Sequence, residues 1–171
     1  YFYNAVLWAV DKEVTNGATD TTFEPMTNCT RGQVVTFLYR AMGSPEVETK
    51  ENPFNDINTS QYYYDAVLWA KEMGITDGKA EGKFAPDDTC TRGEIVTFLH
   101  RAKGYPEAET KENPFNDVAA TDFYYDAVLW AVENGITDGT EPGKFAPTVI
   151  CNRGTTVTFL YRALAEDDAV D

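Results

Sequence analysis

The chain has 171 residues, of which 43% are hydrophobic and 13% aromatic, enough for a packed core, so a wholly disordered chain is excluded. Fourteen basic and 28 acidic residues give a net charge of −14, which argues against nucleic acid and anionic lipid as partners. No apolar run approaches the roughly 20 residues that span a bilayer, so membrane insertion is not expected.

Three tandem copies make up the sequence. Equivalent residues recur with an offset of 61, as in the series Trp8, Trp69 and Trp130, and in the series Arg31, Arg92 and Arg153. A period of this length predicts supersecondary units that bury their apolar faces partly against their neighbours. We divide the chain into copy 1 (residues 1–43), copy 2 with its leading connector (44–104) and copy 3 with its leading connector (105–171).

Each copy is predicted to contain a helix, a structured loop and a second helix. In copy 2 the first helix carries an apolar stripe at helical spacing, formed by Tyr63, Ala66, Val67 and Ala70. The loop after it contains Asp77-Gly78, which we interpret as a turn, because the copies lack the alternating oxygen ligands of a calcium loop. No metal site is expected, and the three cysteines do not have the paired spacing of zinc ligands.

The second helix of copy 2 is predicted to begin after Thr91 and to end at Gly104. Thr91 can cap the first turn, and Glu94, three residues on, completes a capping box. Arg92 in the first turn is unusual, because the helix dipole is already positive there. Two interpretations are open: a salt bridge to a carboxylate of a neighbouring copy, or an anion bound at the unpaired N–H groups of the helix N-terminus.

The order of motifs in each copy resembles the S-layer homology domain. These motifs are Phe-x-Asp, an aromatic-rich Ala-Val helix, Gly-Ile-Thr-x-Gly, Phe-x-Pro and Thr-Arg-x-Glu. The resemblance implies an all-α fold in which three helix–loop–helix repeats form a pseudo-threefold spindle. It also implies a non-catalytic, extracellular module without a cofactor, which anchors a bacterial surface protein to the cell wall. Its partner would be an anionic, pyruvate-carrying secondary cell-wall polysaccharide, bound in grooves between the copies.

The resemblance also assigns site residues. Contact with the acidic group falls on Arg31, Arg92 and Arg153. The groove aromatics would be Tyr1, Tyr62 and Phe123, for which plain packing between helices is the alternative. The turn glycines that let a sugar approach the backbone would be Gly17, Gly78 and Gly139. A second cation would come from Lys83 and Lys144.

This chain departs from the family pattern in three ways, one of which is Thr22 of copy 1, where the other copies have Lys83 and Lys144. Glycine replaces the usual alanine after each arginine, which lowers helix propensity. Copy 3 has Asn152 and Thr155 in place of the capping threonine and glutamate, so its capping box is expected to be incomplete. Copy 2 is the most complete, and Arg92 is therefore expected to contribute most to binding.

Two other functional classes compete with this one. An enzyme is not expected, because no nucleophile–base constellation can be named. A protein-binding or self-assembly module of a bacterial surface layer remains open, with the grooves taking an acidic protein segment. The three cysteines are expected to be free, because equivalent positions around a spindle should lie too far apart for a disulfide. The acidic residues 166–168 are expected to follow the last repeat without starting another.

Overall fold

The computed structural model of the protein describes residues 1–49 and 51–165. These ranges contain six α-helices: α1 (Tyr3–Asp11), α2 (Arg31–Ala41), α3 (Tyr64–Glu72), α4 (Arg92–Ala102), α5 (Tyr125–Glu133) and α6 (Arg153–Leu164). The predicted all-α class with two helices per copy is confirmed. None of these helices is long and apolar enough to cross a membrane. The acidic residues 166–168 lie outside the described part of the chain.

The helices form a closed ring of three copies. Helices α2, α4 and α6 lie at the centre, where each contacts the other two. The remaining helices pack on the central helix of a different copy, in the pairs α2 with α3, α4 with α5, and α6 with α1. The closest helix pairs therefore cross copy boundaries, and the pairing of α1 with α6 closes the ring.

An aromatic pair joins the two helices of each such pair. Its members are Tyr39 with Trp69, His100 with Trp130, and Trp8 with Tyr161, with ring centroids 5.4, 5.4 and 5.7 Å apart. Trp69 and Trp130 are buried and Trp8 is half-buried against the core, so the prediction of tryptophans as core residues is confirmed. His100 takes the same structural place as the equivalent tyrosines, and its Nε2 lies 2.8 Å from the carbonyl oxygen of Pro106.

The segments that precede α2, α4 and α6 meet at the pseudo-threefold axis. The Cys29 N–H donates to the Cys151 carbonyl at 2.9 Å, Cys90 to Cys29 at 3.0 Å, and Cys151 to Cys90 at 2.9 Å. The three thiols are buried and free, as predicted. The reason given for that prediction is wrong, because the cysteine backbones lie side by side rather than far apart.

The central helices begin at the predicted caps. In copy 2 the Glu94 N–H donates to Thr91 Oγ1 at 3.3 Å, and the Thr91 N–H donates to Glu94 Oε2 at 2.9 Å. Thr30 and Gln33 form the same box in copy 1. In copy 3, Asn152 accepts an N–H three residues on at 2.8 Å without a reciprocal bond, so the expected incomplete box is confirmed.

An aspartate holds the Phe-x-Pro loop of its own copy in place. The Asp117 carboxylate accepts the N–H groups of Phe145 and Ala146, each at 2.9 Å, and Asp56 makes the equivalent pair of bonds in copy 2. Ala146 has φ +57°, a left-handed conformation that costs energy for a residue with a side chain. The two carboxylate bonds stabilise this conformation. They also fix the direction of the Phe145 carbonyl, which becomes part of the candidate site.

Candidate functional site

The N-termini of the central helices are already satisfied by protein groups. In α4 the Arg92 N–H donates to the Val149 carbonyl and the Gly93 N–H to the Pro147 carbonyl, both at 2.9 Å. The corresponding N–H groups of α2 and α6 donate at 2.8–2.9 Å to the loops of copies 2 and 1. The third N–H of each helix is taken by the cap. The interpretation of an anion bound at these N–H groups is therefore wrong, and only the arginine side chains are left for that role.

The glycine after each arginine has a packing reason. A Cβ atom on Gly93 would lie 2.8 Å from Tyr124 Cδ1, and one on Gly154 would lie 2.8 Å from Phe2 Cδ1. Gly32 faces Tyr63 in the same way, at 2.9 Å. These rings belong to the start of the first helix of the next copy around the ring. The departure from alanine thus allows an aromatic ring to lie directly on the central helix.

Each arginine side chain crosses from its own copy into the next. Nε of Arg31, Arg92 and Arg153 donates at 3.1, 2.8 and 2.9 Å to a loop carbonyl, that of Phe84, Phe145 and Phe23 respectively. Each guanidinium carbon lies 4.8–5.0 Å from the ring centroid of that same phenylalanine, and 5.2–5.4 Å from a ring on the adjacent central helix. The arginines are 2–7% exposed. They are held between two aromatic faces, which is a favourable cation–π arrangement.

Three equivalent grooves open over these guanidinium groups, and we name each groove after its arginine. Their volumes are about 320 Å³ for the Arg31 groove, 290 Å³ for the Arg92 groove and 390 Å³ for the Arg153 groove. These values lie near the lower end of the range of small-ligand sites, which is about 300–1,000 Å³.

Every groove takes residues from all three copies. The Arg92 groove contains Arg92 of copy 2, the Gly139 turn and the α6 residues Thr155 and Arg162 of copy 3, and Tyr1 of copy 1. The Arg31 groove has Gly78 and Phe123 in the equivalent places, and the Arg153 groove has Gly17 and Tyr62. The structure therefore brings together the predicted arginines, glycines and aromatic residues.

The residues of copy 2 do not share one groove. Gly78 and Glu94 line the Arg31 groove, Arg92 lines its own groove, and Tyr62 lines the Arg153 groove. The expectation that Arg92 contributes most to binding was based on the complete set of motif residues in copy 2. Because these residues line different grooves, the grooves have to be compared with one another instead of the copies.

The three groove aromatics are exposed at the rims. Tyr1, Tyr62 and Phe123 are 78%, 61% and 65% exposed, and each contacts the next residue edge-to-face with ring centroids 4.9–5.0 Å apart. The alternative of plain packing between helices does not fit such exposure. The aromatic ring that packs on the central helix is the following residue in each case.

The turn glycines have a conformational reason of their own. Gly17, Gly78 and Gly139 have φ values of +95°, +92° and +94°. A Cβ on Gly78 would also overlap the carbonyl oxygen of Lys83. The interpretation of Asp77-Gly78 as a turn is confirmed by the Gly78 N–H, which donates to Thr76 Oγ1 at 3.0 Å.

The predicted lysines lie outside the grooves, and a second arginine lies inside. Lys83 and Lys144 sit at the end of the loop, where their carbonyls close the turn, and neither lines any of the three grooves described above. Sequence reasoning missed the second cation, which is supplied by Arg40, Arg101 and Arg162. Each donates to the carbonyl before the turn, at 2.9–3.4 Å. Their offset of 61 residues was a signal that could have identified them.

One difference between the grooves lies at a single position in the first turn of the central helix. In the Arg31 groove this residue is Glu94, whose Oε1 lies 3.1 Å from Arg31 Nη1 and 2.6 Å from Lys79 Nζ. Burial alone would raise the pKa of the Glu94 carboxyl, but bonds from Lys79 and the Thr91 N–H, with the charge of Arg31, hold it below its usual value. The interpretation of the arginine as a salt-bridge partner is thus confirmed for Arg31.

Comparison with known proteins agrees with this threefold organisation. The model of the S-layer homology domain family matches residues 1–35, 53–96 and 114–156, one segment in each copy. An endoglucanase of Bacillus sp. strain KSM-635 is 33% identical over 142 residues, which cover 80% of this chain and 15% of that protein. The surface-layer 125 kDa protein of Lysinibacillus sphaericus is 38% identical over 112 residues, 66% of this chain and 9% of that protein.

A third relative is the cellulosome-anchoring protein of Acetivibrio thermocellus. It is 23% identical over 149 residues, which cover 83% of this chain and 33% of that protein. The chain thus spans a third or less of the length of each of these three relatives.

Proposed function

The chain belongs to the S-layer homology domain family, and on this premise we propose that it binds an anionic, pyruvate-carrying cell-wall polysaccharide in the grooves between its copies. Membership of the family makes the chain a cell-wall anchoring module of the bacterial cell surface. The enzymatic activity named for the endoglucanase is that of a much longer protein, and the proposal assigns no catalysis to the grooves.

The observation that carries this proposal is the threefold repetition of one arrangement. Each groove has a buried arginine at its base, a second arginine on its wall and an exposed aromatic ring at its rim. A carboxylate at the base would accept charge-assisted hydrogen bonds from the guanidinium group, and the apolar face of a sugar ring would stack on the aromatic side chain. An anionic sugar has both features.

The acidity of the chain does not oppose this binding. The net charge of −14 acts over a distance, but at physiological ionic strength interactions beyond about 8 Å are largely screened. A hydrogen bond to a charged group contributes about 1.5–3 kcal/mol, and an arginine that is nearly removed from water is little affected by salt. The local cations therefore outweigh the overall charge.

Binding to purified wall polysaccharide tests the proposal. Wild-type protein should co-sediment with cell walls or bind soluble polymer fragments, and binding should fall at least tenfold after mild acid removes the pyruvate ketals. Equal affinity before and after this treatment would refute recognition of the acidic group.

Exposed aromatic residues provide variants that are expected to fold. Tyr62→Ala and Tyr1→Ala remove rings that are 61% and 78% exposed, so binding should weaken while the melting temperature stays within about 2 °C, as is usual for surface substitutions. Tyr3→Ala is the matched control, because Tyr3 is 71% exposed on α1 and is not among the residues that line the three grooves.

The same assay distinguishes polysaccharide binding from the second function considered, that of a protein-binding or self-assembly module. A module of that kind would bind surface-layer protein but not the purified polysaccharide. Failure of the protein to bind any form of the polysaccharide would therefore favour it.

A further inference from the structure

We propose that the Arg31 groove is closed to acidic ligands by the protein's own Glu94, and that the module binds its ligand through the Arg153 and Arg92 grooves. This inference rests on the proposed function, since it concerns which of the same grooves take the anion. It assigns Glu94 as an internal substitute for the carboxylate of the ligand.

The contacts of Glu94 occupy the Arg31 groove. Oε1 accepts from Arg31 Nη1 at 3.1 Å and from Lys79 Nζ at 2.6 Å, while Oε2 accepts the Thr91 N–H at 2.9 Å. The Glu94 side chain is 11% exposed and that of Arg31 is 3% exposed. A ligand carboxylate at the same guanidinium would meet a buried like charge, and both Arg31 Nη1 and Lys79 Nζ already donate to Glu94.

The equivalent positions in the other grooves are neutral. Gln33 stands there in the Arg153 groove, where its Oε1 accepts the Thr30 N–H at 3.1 Å. Thr155 stands there in the Arg92 groove, where its Oγ1 lies 2.9 Å from the Tyr1 hydroxyl. Neither residue places a carboxylate against its groove arginine.

The hydrogen-bond partners of the guanidinium groups also distinguish the grooves. Arg153 Nη2 is buried and has no hydrogen-bond partner within residues 1–49 and 51–165, although the residue is only 5% exposed. Arg92 Nη2 donates to the hydroxyl of Thr137 at 3.2 Å. A buried donor without a partner is costly, and an anionic ligand would satisfy it. The expected order of affinity is therefore the Arg153 groove first, the Arg92 groove second and the Arg31 groove last.

Net charge does not produce this order. Among the lining residues, each groove has one more basic than acidic side chain: three against two in the Arg31 groove, and two against one in each of the others. The remaining groove carboxylates, Glu24, Asp77 and Asp138, are exposed, and within the described ranges none of them makes a salt bridge to a groove arginine. The distinction lies in the contacts of Glu94.

Nuclear magnetic resonance of the arginine Nε–H groups tests the inference groove by groove. The probe is a methyl hexopyranoside carrying a 4,6-linked pyruvate ketal, with the uncharged methyl hexopyranoside as its control. In the wild-type protein the Arg153 and Arg92 signals should shift with the charged probe, and the Arg31 signal should not. In Glu94→Gln the Arg31 signal should shift as well, and calorimetry should find three sites instead of two.

A reciprocal variant is available within the chain. Gln33→Glu places a carboxylate in the Arg153 groove and should weaken binding there by roughly tenfold or more, the loss expected for one hydrogen bond to a charged group. Both changes are compatible with the fold, because glutamine and glutamate each complete a capping box in this protein.

The outcomes separate the two proposals. If the wild-type Arg31 signal shifts together with the others, or if Glu94→Gln leaves it unmoved, the role of Glu94 is refuted while anion binding stands. If no arginine signal shifts in any variant, recognition of the pyruvate group is refuted, and the inference falls with it.

Discussion

Replacement of Gly93 by alanine should destabilise the protein, although alanine is the better helix former. Gly93 is the second residue of α4, where the propensity gain is less than the roughly 1 kcal/mol of a helix interior. The new Cβ would lie 2.8 and 3.1 Å from Cδ1 and Cγ of Tyr124, and 3.2 Å from the Pro147 carbonyl oxygen. Tyr124 is the N-cap residue of α5, and its Cγ cannot retreat without a change of rotamer or of backbone. Overpacking of this kind costs about 1–3 kcal/mol.

The net loss expected for Gly93→Ala is about 1–2 kcal/mol, or a fall of roughly 2–8 °C in melting temperature for a chain of this size. Urea and thermal unfolding followed by circular dichroism measure it. In a Tyr124→Ala background the ring is absent, so the same substitution should be neutral or stabilising, and the double-mutant cycle should give a coupling of about 1 kcal/mol or more. A Gly93→Ala variant that is as stable as the wild type with Tyr124 in place would refute the packing explanation.

Three further predictions concern the thiols, an aspartate and the second arginine. In the folded protein the thiols should resist a thiol reagent at pH 8, because burial raises the pKa of Cys29 to about 11 and of Cys151 to about 12. Denaturation without reductant should make all three thiols reactive, and a titration that finds only one would indicate a disulfide. Burial alone would raise the pKa of Asp117, but backbone N–H donors lower it below its usual value. The ionised carboxylate therefore contributes to folding stability above about pH 5, and this contribution is lost as the pH falls through about 4 and below. The stability of Asp117→Asn should depend less on pH in that window, and pH profiles identical to those of the wild type would contradict this. Arg162→Ala should weaken polysaccharide binding severalfold with little loss of stability, since the side chain is exposed on the wall of the Arg92 groove, whereas Lys83→Ala should not; equal effects in co-sedimentation would contradict the assignment.

The helices could be predicted from sequence because their signals are local. The capping box of Thr91 and Glu94 identified the start of α4 to the residue, and Gly104, with φ +84°, follows its end as expected. The apolar stripes correctly predicted helices for the same reason, since residues three and four apart share a helix face. The 61-residue offset extended each of these local results to three copies.

The composition of the grooves could not be predicted in this way. Arg92, Thr155 and Tyr1 come from three different copies, and nothing in their sequence positions indicates that they meet. Reasoning copy by copy grouped Glu94 with Arg92, whereas in the structure Glu94 pairs with Arg31 of the preceding copy. The groups that satisfy the first-turn N–H of Arg92 were hidden for the same reason, because they are carbonyls of the next loop around the ring.

The glycines show how a local rule can mislead. Helix propensity alone makes Gly32, Gly93 and Gly154 a weakness of the chain. Their function depends on aromatic rings of another copy, which lie 2.8–2.9 Å from the position that an alanine methyl group would take. A tertiary contact of this kind overrides the propensity.

Because the ring closes through α6 and α1, the stability of the ligand-free fold does not depend on how many grooves can bind ligand. In an open row of repeats an end unit contacts one neighbour and can unfold alone, whereas here each copy contacts both others through the central helices and the cysteine backbones. Loss of any copy would leave two apolar faces in water and open the hydrogen-bonded triangle. All three copies are thus indispensable to the architecture, whichever grooves bind ligand. On the role proposed for Glu94, a substitution at residue 94 would change binding in the Arg31 groove and leave the contacts between the central helices in place.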